Sequence, residues 1–156
     1  MSQTNYSLMT KQLEGLAEIE NHYIALFSNS SALLWENIKD INWAGFYLIE
    51  GGSLMLGPFQ GKLACFRIEI GKGVCGTAVA QKKSLVVEDV HKFDGHIACD
   101  SNSNSEIVIP LWKGDKIIGV LDIDSPLFKR FCDADREGLE HFCKKLMEVV
   151  KYPDKI

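Results

Sequence analysis

Residues 43–49, Trp43-Ala44-Gly45-Phe46-Tyr47-Leu48-Ile49, run into Gly51-Gly52 and then into Ser53-Leu54-Met55-Leu56-Gly57-Pro58-Phe59. Aromatic and branched side chains fill the first run, a glycine pair closes it, and a second apolar run follows at once, which is the signature of a β-hairpin. Upstream the texture is helical: Ile24, Phe27, Leu34 and Ile38 recur at a period near 3.6, after an earlier stripe at Leu13 and Leu16. This predicts two helices between about residues 10 and 38, with a break near Asn21. Downstream, residues 65–70 alternate as a strand, residues 74–80 read as a short helix after Gly71-Lys72-Gly73, and residues 84–87 form another strand. The polar stretch 89–105 has no period, and loops of such length in compact domains are usually functional or disordered. A second hairpin joins residues 106–112 to 116–123 through Lys113-Gly114-Asp115. A final helix, with Asp133 as its expected cap, carries Leu139, Phe142, Cys143, Leu146 and Val150 on one face. The order predicts an α+β fold, an antiparallel sheet with helices packed on one face and a long loop at the site.

The chain of 156 residues is long enough for one domain, expected to span residues 1–156, and shows no internal repeat. Its formal charge of −4 is scattered, with no basic stripe to neutralise a phosphate backbone, so nucleic acid is not an expected partner. The first residues show neither an apolar leader core nor an Arg-rich amphipathic pattern, and no apolar run is long enough to span a bilayer. A cytoplasmic protein with no membrane partner is the expectation. The count of five cysteines is odd and their spacing irregular, which argues against a structural disulfide framework. Each thiol is then either packing or reactive.

Cys99 lies in the long polar loop, where a packing cysteine is out of place; His91 and His96 favour its thiolate and Asp100 opposes it. Cys75 falls in the first turn of a short helix, where the helix dipole could lower its pKa, so it reads either as reactive or as structural. Cys132 and Cys143 read as filler, and His22 and His141 carry no motif. His96 and Cys99 are three apart but lack the further ligands of a zinc site, and no metal is expected. Asp122 and Asp124 share one face of their strand with Val120, leaving open a solvated face or a pocket. Trp43 and Tyr47, four apart on a strand, also share a face, either as core or as the wall of a site.

Several motifs together resemble the free methionine-(R)-sulfoxide reductases, single GAF-domain enzymes. They are Asn42-Trp43-Ala44-Gly45-Phe46-Tyr47-Leu48, Gly57-Pro58-Phe59-Gln60-Gly61, Gly73-Val74-Cys75-Gly76, His96-Ile97-Ala98-Cys99-Asp100, Ser105-Glu106-Ile107-Val108-Ile109-Pro110 and Gly119-Val120-Leu121-Asp122-Ile123-Asp124. The resemblance implies a GAF-like fold that reduces free methionine (R)-sulfoxide, with Cys99 as nucleophile and Cys65 as resolving thiol, while Cys75 stays open between an alternate resolver and a structural thiol. It places Glu106, Asp122 and Asp124 around the substrate's ammonium and sulfoxide oxygen, with Glu106 or Asp124 as proton donor. Trp43 and Tyr47 would line the methyl-sulfur end. It further implies no bound cofactor, with thioredoxin as the external reductant, and leaves a homodimer as an open alternative. The competing reading is a GAF-type sensor that binds a small ligand without catalysis.

Overall fold

The structure, a computed structural model, describes residues 4–95 and 102–154. Six strands form one sheet: β1 (Trp43–Glu50), β2 (Ser53–Gly61), β3 (Arg67–Glu69), β4 (Leu85–Val87), β5 (Ser105–Lys113) and β6 (Lys116–Ser125). Their spatial order is β3-β2-β1-β6-β5-β4, with every pair antiparallel. The two expected hairpins are present, and β6 joins them by pairing with both β1 and β5. Helices α1 (Tyr6–Ile19) and α2 (Tyr23–Asn37) break at residues 20–22, as the spacing predicts.

Alternation along the strands makes two cores. On one side Ala44, Phe46, Leu48, Ile107, Ile109, Leu121 and Ile123 pack against α1, α2 and α4 (Asp133–Val149). Phe27 of α2 stacks on Phe46 with ring centroids 4.8 Å apart. The Tyr6 hydroxyl donates to Asp135 Oδ1 at 2.7 Å and ties α1 to α4. On the other side Trp43, Tyr47, Val108 and Val120 meet α3 (Gly73–Gln81), which buries Val74, Cys75, Ala78 and Val79.

Three differences from the sequence reading have physical causes. The α+β, GAF-like architecture is as expected, but only three helices share a face; α3 covers the other, because that face also carries apolar residues that need burial. The strand expected over residues 65–70 shrinks to three residues, with Ile68 the one buried side chain among them. Asp133 does not cap the last helix but opens it; the cap is made from within, where Asp135 Oδ2 accepts the Cys132 backbone N–H at 2.9 Å.

Candidate active site

The site is built on the α3 side of β1, β5 and β6. Glu106 of β5 lies directly opposite Asp124 of β6, and Asp122 stands opposite Val108 two positions along. Period-two alternation therefore puts all three carboxyls on one side, next to Val108 and Val120. The face is covered and not a solvated surface: Glu106 and Asp122 are each 6% exposed. From above, the Cys75 thiol in the first turns of α3 donates to Glu106 Oε2 at 4.0 Å.

Crowding of acids away from water sets the protonation of this face. Burial, then the charges of Asp122 and Asp124, push the Glu106 carboxyl well above the usual carboxylate range. Asp124 moves the same way, chiefly by burial and then by Asp122, against smaller lowering by hydrogen bonds from Glu106 and Ser103. The Ser103 hydroxyl donates to Asp124 Oδ2 at 3.4 Å and exchanges hydrogen bonds with Asn42. Asp124 Oδ1 is buried with no hydrogen-bond partner among the described residues. Carboxyls shifted in this direction keep their protons to higher pH than free ones and can release them to a developing oxyanion.

For Cys75 the expectation of a dipole-lowered pKa is overturned. Burial, followed by the charges of Asp122, Glu106 and Asp124, drives its pKa well above the normal thiol value. A helix terminus contributes a fraction of a charge, whereas here three carboxyls and a dry environment oppose the thiolate. Cys75, Glu106 and Asp122 offer three ligand atoms within 4.8 Å of one another. A divalent cation could use that set only by displacing the protons the site holds.

Trp43 and Tyr47 form the wall. Their rings stack with centroids 5.8 Å apart, and Phe59 also stacks with the Trp43 ring, at 5.1 Å. Gly45, between the two on the same face of β1, makes this stack: a Cβ there would overlap the Phe59 Cβ. The Trp43 indole donates to the Lys62 carbonyl at 3.1 Å, and the Tyr47 hydroxyl donates to the Cys65 carbonyl at 2.9 Å. Cys65 is disulfide-bonded, while Cys75, Cys132 and Cys143 carry free thiols.

The structure thus brings together Trp43, Tyr47, Cys65, Cys75, Glu106, Asp122 and Asp124. Cys99, with His96 and Asp100, lies outside the described residues. His91, read as a neighbour favouring the Cys99 thiolate, shares a hydrogen bond with Asn104 Oδ1 at 2.9 Å. Three residues escaped the sequence reading. Asn42 and Ser103 support Asp124, and the signal for Ser103 was its place in the polar loop just before the acid-bearing strand. Phe59 sits across the hairpin from Gly45, and that register was the clue to its stacking.

The GAF domain family model matches residues 22–149. The free methionine-R-sulfoxide reductase of Escherichia coli strain K12 is 54% identical over 149 residues, covering 96% of this chain and 90% of that protein. The structure of the fRMsr of Staphylococcus aureus in complex with substrate superposes with a TM-score of 0.90 at 57% identity, covering 96% of this chain and 98% of that one. That of the free methionine-R-sulfoxide reductase from Neisseria meningitidis in complex with its substrate gives 0.89 at 40% identity, covering 95% and 92%. The chain belongs to the GAF-domain family of free methionine-R-sulfoxide reductases.

Proposed function

We propose that the protein reduces free methionine (R)-sulfoxide to methionine, with Cys99 as nucleophile and Cys65 as resolving thiol. The observation that carries this reading is the carboxyl cluster of Glu106, Asp122 and Asp124, with Glu106 and Asp122 buried, Glu106 and Asp124 pushed above the usual carboxylate range, and the stacked rings of Trp43 and Tyr47 on the same side of the sheet. A free amino acid presents an ammonium that carboxylates hold through charge-assisted hydrogen bonds, and its methyl-sulfur end suits the face of Trp43.

The Cys99 thiolate attacks the sulfoxide sulfur while Glu106 or Asp124 protonates the sulfoxide oxygen. The S–O bond of the substrate breaks, the oxygen ends on Cys99 as a sulfenic acid, and methionine leaves. Cys65 then attacks the Cys99 sulfur; an S–S bond forms and the oxygen departs as water. A protein dithiol of the thioredoxin kind exchanges with the disulfide and restores both thiols. The net change is one sulfoxide and one dithiol converted to one thioether, one disulfide and one water, with no bound cofactor. The pairing of Cys65 in a disulfide supports its resolving role, and the free, strongly protonated thiol of Cys75 fits a hydrogen-bond donor to Glu106 better than an alternate resolver. No helix among the described residues is long and apolar enough to cross a membrane.

Incubation with racemic free methionine sulfoxide and dithiothreitol tests the reading. Release of methionine that stops once the (R) epimer is consumed is the expected result. Binding of the sulfoxide without turnover would favour the sensor alternative.

A further inference from the structure

We propose that Tyr47 and Trp43 are positioning residues for the resolving step, clamping the backbone that carries Cys65 over the pocket; this rests on the reading of Cys65 as the resolving thiol. The chain leaves β2 at Gly61 with φ of 134°. A Cβ at that position would press on Trp43 Cδ1 at 2.6 Å and on the Asn42 carbonyl at 2.9 Å, so a residue without one is needed for the turn. Beyond the turn, residues 62–66 are held by three hydrogen bonds to their carbonyls. Trp43 Nε1 binds that of Lys62 at 3.1 Å, Tyr47 Oη that of Cys65 at 2.9 Å, and the Leu56 N–H that of Phe66 at 2.8 Å.

Packing alone does little to hold this segment, since its two large apolar side chains, Leu63 and Phe66, are 91% and 79% exposed. Beside the disulfide of Cys65 and the partial packing of Ala64 and Cys65 against the α3-side core, the segment is held by the clamp, two of whose three donors are side chains of the aromatic wall. Tyr47 is fixed in the donor role, because burial and the neighbouring acids keep its hydroxyl protonated. Its acceptor is the carbonyl of Cys65 itself, so loss of the hydroxyl frees the resolving residue directly.

Resolution joins Cys65 sulfur to the sulfur of the Cys99 sulfenic acid, expels the oxygen as water and uses no other reactant. Its rate depends on how often the Cys65 thiol occupies attack geometry, which backbone restraint raises as an effective concentration. The same wall then serves both half-steps: its rings receive the substrate, and its polar atoms hold the backbone that carries the second thiol.

Tyr47→Phe removes the donor and keeps the ring. Wild type and variant, each fully reduced, are mixed with one equivalent of free methionine sulfoxide and quenched at intervals. Methionine release, disulfide formation and sulfenic acid trapped by a dimedone-type probe are followed separately. The clamp predicts that the variant slows disulfide formation about threefold to tenfold more than it slows methionine release, as expected for one lost hydrogen bond, and that trapped sulfenic acid accumulates. Trp43→Phe should shift the balance in the same direction. A second measurement needs no sulfoxide: in glutathione redox buffers, Tyr47→Phe should lower the equilibrium constant for Cys65 disulfide formation by about the same factor. Equal slowing of both steps, or an unchanged redox equilibrium, would overturn the clamp. A wild type that releases no methionine while the redox equilibrium still shifts would overturn the assigned reaction and support the clamp.

Discussion

Alternate residues of the same strands build two unlike faces. Toward α1, α2 and α4, strands β1, β5 and β6 present Ala44, Phe46, Ile107, Ile109, Leu121 and Ile123, none more than 2% exposed. Toward α3 they present Trp43, Tyr47, Glu106, Val108, Asp122 and Asp124. Burial on the first face removes apolar surface from water and stabilises the fold. On the second face it dehydrates carboxyls and so costs stability, which persists only because the first face and the hairpin register hold the acids in place. The expensive face is the chemical one, and the two can be separated by substitution.

The largest expected effect is on chemistry alone. Cys99→Ser should abolish reduction, because a hydroxyl at neutral pH does not replace a thiolate nucleophile, and should leave the thermal midpoint close to wild type. Residual turnover above a few per cent of wild type, measured by methionine release, would move the nucleophile elsewhere. The opposite face gives the converse. Phe46→Ala removes a fully buried ring stacked on Phe27 and should cost about 3–5 kcal/mol in urea unfolding. At low temperature, where enough of the variant remains folded, its activity per folded molecule should survive; a loss of activity larger than the loss of folded protein would mean that the faces are not separable.

A smaller effect sharpens the assignment of the polar face. N-acetylation of the substrate removes the ammonium, leaves a buried carboxylate without its partner and adds bulk, and should lower kcat/KM by about 10- to 100-fold. Initial rates on free, N-acetylated and peptide-bound methionine sulfoxide at equal concentration make the comparison. Comparable rates on all three would show that the acids do not read the ammonium.

Much of this contrast was legible in the sequence. The hairpin over residues 43–59 and the alternation of β5 and β6 follow from local pattern, and alternation alone puts Asp122 and Asp124 beside Val120. What alternation does not reveal is which neighbours close over a face. The placement of α3 depends on tertiary contacts, and with it the burial that reverses the expected pKa shift of Cys75. The missing length of β3 has a similar origin: Phe66 bends while still accepting from the Leu56 N–H, the Cys65 carbonyl is taken by Tyr47, and Ile70 falls in the turn before α3. Asn42 and Ser103 meet only because the chain before β1 and the chain before β5 run together beside Asp124. The loop bearing Cys99 was picked out by its polarity and length, and its nucleophile remains a proposal from family position.

The measurement that tests the central claim most directly uses Glu106→Gln, read twice, with Asp124→Asn beside it in the activity assay. Burial and like charge raise the folded-state pKa of Glu106 above its unfolded value of about 4.3, so the unfolded chain gives up this proton first as pH rises. The stability associated with the protonated acid is therefore full below about pH 4.3 and is lost as pH climbs from there through the raised folded value. An amide keeps the volume, escapes that loss, and cannot deliver a proton. In paired urea melts and single-turnover assays from pH 5 to pH 9, the account predicts a Glu106→Gln variant whose stability relative to wild type improves as pH rises, while methionine release slows by about 100-fold or more in at least one of the two variants. A Glu106→Gln variant that loses stability relative to wild type across that range, or methionine release at the wild-type rate in both Glu106→Gln and Asp124→Asn, would contradict it.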